Sequence, residues 1–104
     1  MPGVDFNAVR ATVSMASVLE WIGFTTQSAR GDQLRGRCPV HEAASRRSRS
    51  FSVNLVKGIC KCHRCGFSGN QIQLWAKLHG MTTYEAALDI CWRAGVQVPW
   101  VIRW

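Results

Sequence analysis

The chain has 104 residues, 47% of them hydrophobic, with 13 Lys+Arg against 6 Asp+Glu and a formal net charge of +7. This length makes one domain with a modest core. The apolar fraction excludes a disordered chain, and no apolar run reaches the roughly 18 residues that a membrane helix needs. The excess of cations favours a polyanionic partner through long-range attraction and counterion release. Met1 to Arg10 has no basic head followed by an apolar stretch, so no secretory signal is expected and the chain is placed in the reducing cytoplasm. Its five cysteines are then metal ligands or buried thiols rather than disulfides.

In chain order, Met15, Val18, Leu19 and Ile22 follow a helical stripe, which predicts a first helix from about Phe6 to Ile22, stopped by Gly23. Residues Thr25 to Asp32 are polar and read as a loop. Leu34 to Arg37 forms a short strand leading into Cys38. Phe51, Val53 and Leu55 alternate with Ser52 and Asn54 in the pattern of a half-buried strand, and Ile59 to Cys62 returns antiparallel after a turn at Lys57-Gly58. Between His41 and Phe51 lies an exposed loop rich in Arg and Ser. A second helix begins at Asn70, with Gln73 at the capping-box position, and ends at Gly80. A third begins at Thr82 with Glu85 in the same role, carries an apolar stripe of Tyr84, Ala87, Leu88, Cys91 and Trp92, and ends at Gly95. Trp21, Trp75 and Trp92 read as core. The tail from Val96 to Trp104 is apolar and either adds a strand or packs on a partner, with Trp100 and Trp104 open as a docking surface.

Two ligand pairs stand out, Cys38-Pro39-Val40-His41 and Cys62-His63-Arg64-Cys65-Gly66. Two intervening residues let a tight turn aim both donors at one ion. Three thiolates and an imidazole suit zinc in a closed tetrahedral site with no position left for water, so the expected cofactor is one structural Zn2+ held by Cys38, His41, Cys62 and Cys65. Cys60 shares a strand face with Cys62 and stays open as an alternative ligand. His63 points outward from its knuckle, Cys91 is a core thiol, and His79 has no metal role.

The string Cys38-Pro39-x-His41, Ser50-Phe51-x-Val53, Cys62-x-x-Cys65-Gly66-x-x-Gly69-Asn70-x-Ile72 resembles the N-terminal zinc-binding domain of bacterial DnaG-type primases. Leu34-x-Gly36-x-Cys38 and Lys57 extend the match, which covers roughly Val9 to Val96. Tyr84-Glu85-Ala86 fits more loosely, because that family usually places one residue between the aromatic and the Glu. The chain also departs from the pattern in other ways. Its loop after His41 is longer, Arg49 replaces the usual Pro, Cys60-Lys61 replaces an aromatic-His pair, and Asn70 replaces an Asp.

The resemblance implies an α+β fold, a small antiparallel zinc β-ribbon flanked by about three helices, in one domain over 1–104 with the ribbon at about 33–70. It also implies binding of single-stranded DNA template in primer synthesis, beside a separate primase or polymerase catalytic domain or another replication protein. The carboxylates Asp5, Glu20, Asp32, Glu42, Glu85 and Asp89 are scattered and no Gly-rich phosphate loop is present, so the chain is not expected to be an enzyme on its own. The cations expected to meet phosphates are Arg35, Arg37, Lys57, Lys61 and Arg64, with Arg46, Arg47 and Arg49 on the loop. Phe67 is open as a stacking ring or a core residue. The alternative function is a zinc-scaffolded protein-docking module. No membrane contact is expected.

Overall fold

The computed structural model describes residues 2–40 and 49–102. Its centre is a five-stranded antiparallel meander, β2 (Thr26–Arg30), β3 (Gln33–Gly36), β4 (Phe51–Asn54), β5 (Ile59–Cys62) and β6 (Ser68–Asn70), in the spatial order β2-β3-β4-β5-β6. Alternation along each strand sends Leu34, Phe51, Val53, Cys60 and Cys62 to one face, and the helices cover that face. The other face is uncovered.

Two helices precede the sheet. The expected single helix from Phe6 to Ile22 is in fact α1 (Phe6–Thr12) and α2 (Met15–Trp21). Val13 is extended at φ −108° and ψ 107°, and Ser14 restarts the chain as a cap, its hydroxyl accepting from the Ser17 amide at 3.1 Å. The reason is burial. Val13 and Met15 are both fully buried, and positions two apart on a continuous helix point about 200° apart. Breaking the helix lets both reach the core.

The stretch read as a loop, Thr25 to Asp32, contains strand β2. It forms a two-residue hairpin with β3 in which Arg30 opposes Gln33 and Gly31 takes φ 59°. As an exposed edge strand of Thr, Gln, Ser, Ala and Arg, it carries no apolar alternation. Gly36 is needed at the far end of this hairpin, because a Cβ there would collide with the Thr25 carbonyl oxygen and the Phe24 ring.

Two further helices follow. α3 (Gln71–His79) begins at Asn70 and ends at Gly80, and α4 (Thr83–Ala94) begins at Thr82 and ends at Gly95. Both start with a full capping box, Asn70 with Gln73 and Thr82 with Glu85, and both end on a left-handed glycine. α3 packs on β5 and β6, and α4 packs on α3. Gln71, nearly fully buried, donates to the carbonyls of Val13 and Arg10, while Arg10 donates to the carbonyls of Lys57 and Gly58. That network ties α1 and α3 to the β4–β5 turn. The apolar tail adds a strand, β7 (Trp100–Ile102), antiparallel to β1 (Pro2–Val4).

The stripe expected on α4 is corrected. Its buried face is Ala86, Ala87, Ile90 and Cys91, while Tyr84 and Trp92 are exposed. Rotating the helix toward Ile90 places the two small Ala side chains on its buried face. Trp92 is therefore not core, with 82% of its surface exposed. Trp75 is core: its indole Nε1 donates to Asp89 Oδ2 at 2.7 Å, and Trp21 meets it edge to face at 6.0 Å. Trp21 itself is partly buried against the core. Trp75→Ala should cost ~3–5 kcal/mol, and Trp92→Ala should stay within ~0.5 kcal/mol. Thermal melting of the two variants checks this, and equal losses would contradict the placement of α4.

Candidate metal centre

The second ligand pair closes the end of β5. The amides of Arg64 and Cys65 both donate to Cys62 Sγ, at 3.4 and 3.3 Å, and the Gly66 amide donates to the Cys62 carbonyl at 3.1 Å. Gly66 takes φ 80°, a conformation that side chains resist, and this closes the knuckle. The Cys62 amide donates to the Phe67 carbonyl, which carries the chain into β6. Phe67 is partly buried and packs against the core.

Sheet register supplies the third sulfur. Gly36 on β3 lies opposite Phe51, which lies opposite Cys62 on β5. Two residues beyond Gly36, Cys38 turns inward over the same end of the sheet. The sulfurs of Cys38, Cys62 and Cys65 all lie within 4.8 Å of one another, with Cys38 and Cys62 buried and Cys65 exposed. Among the described residues this is the one group of three or more potential metal ligands. His41 lies outside the described residues.

The group fits one structural zinc ion. Thiolates at ~2.3 Å from a tetrahedral ion stand ~3.8 Å apart, which sulfurs within 4.8 Å of one another can meet. The electrostatics agree. Burial pushes the Cys62 thiol up, but hydrogen bonds from the Cys65 and Arg64 amides, with the sulfurs of Cys65 and Cys38, outweigh it and bring the value from 9.0 down to about 6. This knuckle therefore prefers a thiolate. In the metal-free chain that preference favours the fold fully above about pH 9 and is lost as the pH falls through about 6.

Cys60 has the opposite character. It faces inward, donates to the Gly69 carbonyl at 3.4 Å, and is pushed up to about 12 by burial and then by the neighbouring Cys38. It lies outside the three-sulfur group. His63 is exposed, with Nε2 3.1 Å from Ser52 Oγ. His79 holds its Nδ1 3.0 Å from the Trp75 carbonyl and stacks on that indole at 4.0 Å. Cys91 is buried in the α4 packing face, where burial raises its thiol.

The uncovered face of the sheet extends from this centre. Register builds two transverse rows on it. Ser28, Arg35, Ser52, Lys61 and Ser68 form one, and Arg30, Gln33, Asn54, Ile59 and Asn70 form the other. Two open depressions lie on the face. One of about 510 Å³ is bordered by Lys57 and Lys61, and one of about 590 Å³ by Arg30, Arg35 and His63. Neither is lined by a carboxylate.

Of the cations singled out from sequence, Arg35, Lys57 and Lys61 thus meet on one surface. Arg64 is exposed on the second knuckle beside His63, Arg49 is exposed just before β4, and Arg37 is half-buried between β3 and Cys38. Arg46 and Arg47 lie outside the described residues. Sequence reading missed Arg30, because Thr25 to Asp32 passed for a loop. The available signal was Gly31-Asp32, whose two-residue turn sets Arg30 opposite Gln33.

Comparison with known proteins gives one consistent result. A family model described as CHC2 zinc finger, the zinc ribbon of DnaG, matches residues 3–102. The DNA primase of Treponema pallidum is 28% identical over 99 residues, which is 94% of this chain and 16% of the relative. The DNA primase of Streptomyces coelicolor is 32% identical over 93 residues, 88% of this chain and 14% of the relative. Among solved structures, the zinc-binding and RNA polymerase domains of the Aquifex aeolicus primase match with a TM-score of 0.75 and 26% identity, over 92% of this chain and 23% of that one. The chain therefore spans about a sixth of the length of these curated relatives.

Zinc affinity, read by competition with a chromophoric chelator, should fall as the pH is lowered toward 6, because protons compete for the thiolates. Cys62→Ser should hold no stoichiometric zinc under the same conditions. A pH-independent affinity, or a serine variant retaining one zinc per chain, would contradict thiolate ligation.

Proposed function

The chain belongs to the CHC2 zinc-finger family of DnaG-type primases, and on that premise we propose that it holds single-stranded DNA template during primer synthesis, beside a separate catalytic domain or protein partner. The observation that carries this reading is the uncovered sheet face, where Arg30, Arg35, Lys57 and Lys61 surround two depressions with no carboxylate lining. A single strand laid there meets cations at its phosphates and polar side chains at its bases.

In this reading Cys38, His41, Cys62 and Cys65 complete the zinc shell, and residues 1–104 act as one unit. The metal supplies rigidity: four protein ligands leave no site for an activated water. It joins the ends of β3 and β5, which holds the cations of those strands in register. Arg10 adds to this by gripping the Lys57 and Gly58 carbonyls at 2.9 and 3.2 Å, fixing the turn that presents Lys57.

Catalysis is assigned to another domain because the carboxylates are scattered, and three of them have local duties. Asp5 caps α1, Glu85 accepts from the Thr82 amide and hydroxyl in the capping box of α4, and Asp89 accepts from Trp75. Thr82 hydrogen bonds hold the Glu85 carboxyl below its usual value.

A second reading, a protein-docking module, draws on Trp92 and on the exposed pair Tyr84 and Trp100, whose rings lie 6.5 Å apart. Fluorescence anisotropy with labelled single-stranded DNA separates the two. Template binding predicts salt-sensitive association by the chain alone, and docking predicts none without a partner. For template binding, Arg35→Ala and Lys61→Ala should each weaken association and reduce the slope of log K against log salt by ~0.7 for each phosphate no longer neutralised. Replacing Arg46, Arg47 and Arg49 together with Ala should flatten the slope further, and an unchanged slope would remove the loop from the interface.

A further inference from the structure

The two rows on the uncovered face differ in chemistry. One alternates hydroxyls with cations, through Arg35 and Lys61. The next, two residues along each strand and so ~6.8 Å away, carries the amides Gln33 and Asn54. That separation leaves room for a sugar between a phosphate on the first row and a base on the second.

Gln33 is exposed at the junction of the two depressions and lines both. Its carboxamide engages no other group among the described residues, so it has both a donor and an acceptor to offer. Asn54 is constrained. Its Oδ1 accepts from the Lys57 amide at 2.9 Å, which fixes the carboxamide and leaves its NH2 to donate. Asn54 therefore faces the first depression as an oriented donor, suited to a carbonyl oxygen or ring nitrogen of a base. Ile59, 46% exposed in the same row, supplies an apolar ledge. No Phe, Tyr or Trp lines either depression, and His63 at the border of the second is the one aromatic ring there, so stacking platforms are sparse on this face.

From this arrangement we infer that Gln33 and Asn54 are the base-reading residues of the face, while Arg35 and Lys61 anchor phosphates without regard to sequence. The inference rests on the template-binding reading and adds a division of labour to it. Binding strength comes from the cationic side chains, and choice of sequence comes from the two amides.

The test is selection of the full chain against a randomised pool of single-stranded DNA, followed by anisotropy on the enriched and unselected strands at two salt concentrations. The chain should prefer enriched over unselected DNA by about tenfold, the scale of one good amide–base contact. Gln33→Ala, and Asn54→Ser, which keeps an oxygen for the Lys57 amide, should each shrink that ratio toward one by weakening the enriched strands more than the unselected ones, with the salt slope unchanged. Arg35→Ala should do the reverse, weakening all strands alike with the ratio intact. If the chain binds single strands but shows no preference, or if the preference survives both amide substitutions, the inference is overturned while the template-binding reading stands. If the chain binds no single strand, both fall.

Discussion

The convergence of Cys38, Cys62 and Cys65 at one end of the sheet is the constraint on which the rest of this molecule depends. The strands are three to five residues long and only one of their faces is covered by helices. A domain of 104 residues with strands this short has a modest core. A tightly bound metal adds to that core by tying the ends of β3 and β5 together, and its binding energy becomes folding energy. Because the tie sits at an end of the sheet, the opposite face needs no core of its own and is left polar, cationic and accessible.

How much of this was legible in the sequence depended on how local the determinant was. The knuckles were readable because Cys62 to Gly66 carries its own turn, its own amide-to-sulfur bonds and its own left-handed glycine. The starts of α3 and α4 were readable because Asn70 with Gln73, and Thr82 with Glu85, are self-contained capping boxes. The β4–β5 hairpin was readable from its alternation. The break at Val13-Ser14 was not, since it follows from burying Val13 and Met15 together against elements distant in sequence. Strand β2 was hidden because an exposed edge strand has no apolar face to display, and Arg30 was lost with it. Trp92 was misplaced because its size counted for more than the phase of the helix, which buries Ala86, Ala87, Ile90 and Cys91 instead.

The departures from the family pattern gain a physical meaning on this framework. Where such primases usually carry an aromatic-His pair before the second knuckle, Cys60 points inward as a protonated thiol bonded to the Gly69 carbonyl, and Lys61 points outward as an ammonium on the cationic row. The exchange adds charge to the open face without adding a competing metal ligand. The exposed aromatics among the described residues are Phe6, Tyr84, Trp92 and Trp100, and all of them belong to the helices and the terminal two-stranded sheet. Cationic and aromatic surfaces thus occupy different elements of the same small fold.

X-ray absorption at the zinc edge of the metal-loaded chain tests the central claim most directly. The account predicts three sulfur ligands at ~2.3 Å and one nitrogen at ~2.0–2.1 Å. A shell of four sulfurs, which would draw Cys60 into the site in place of His41, or a shell of nitrogen and oxygen alone, would contradict it.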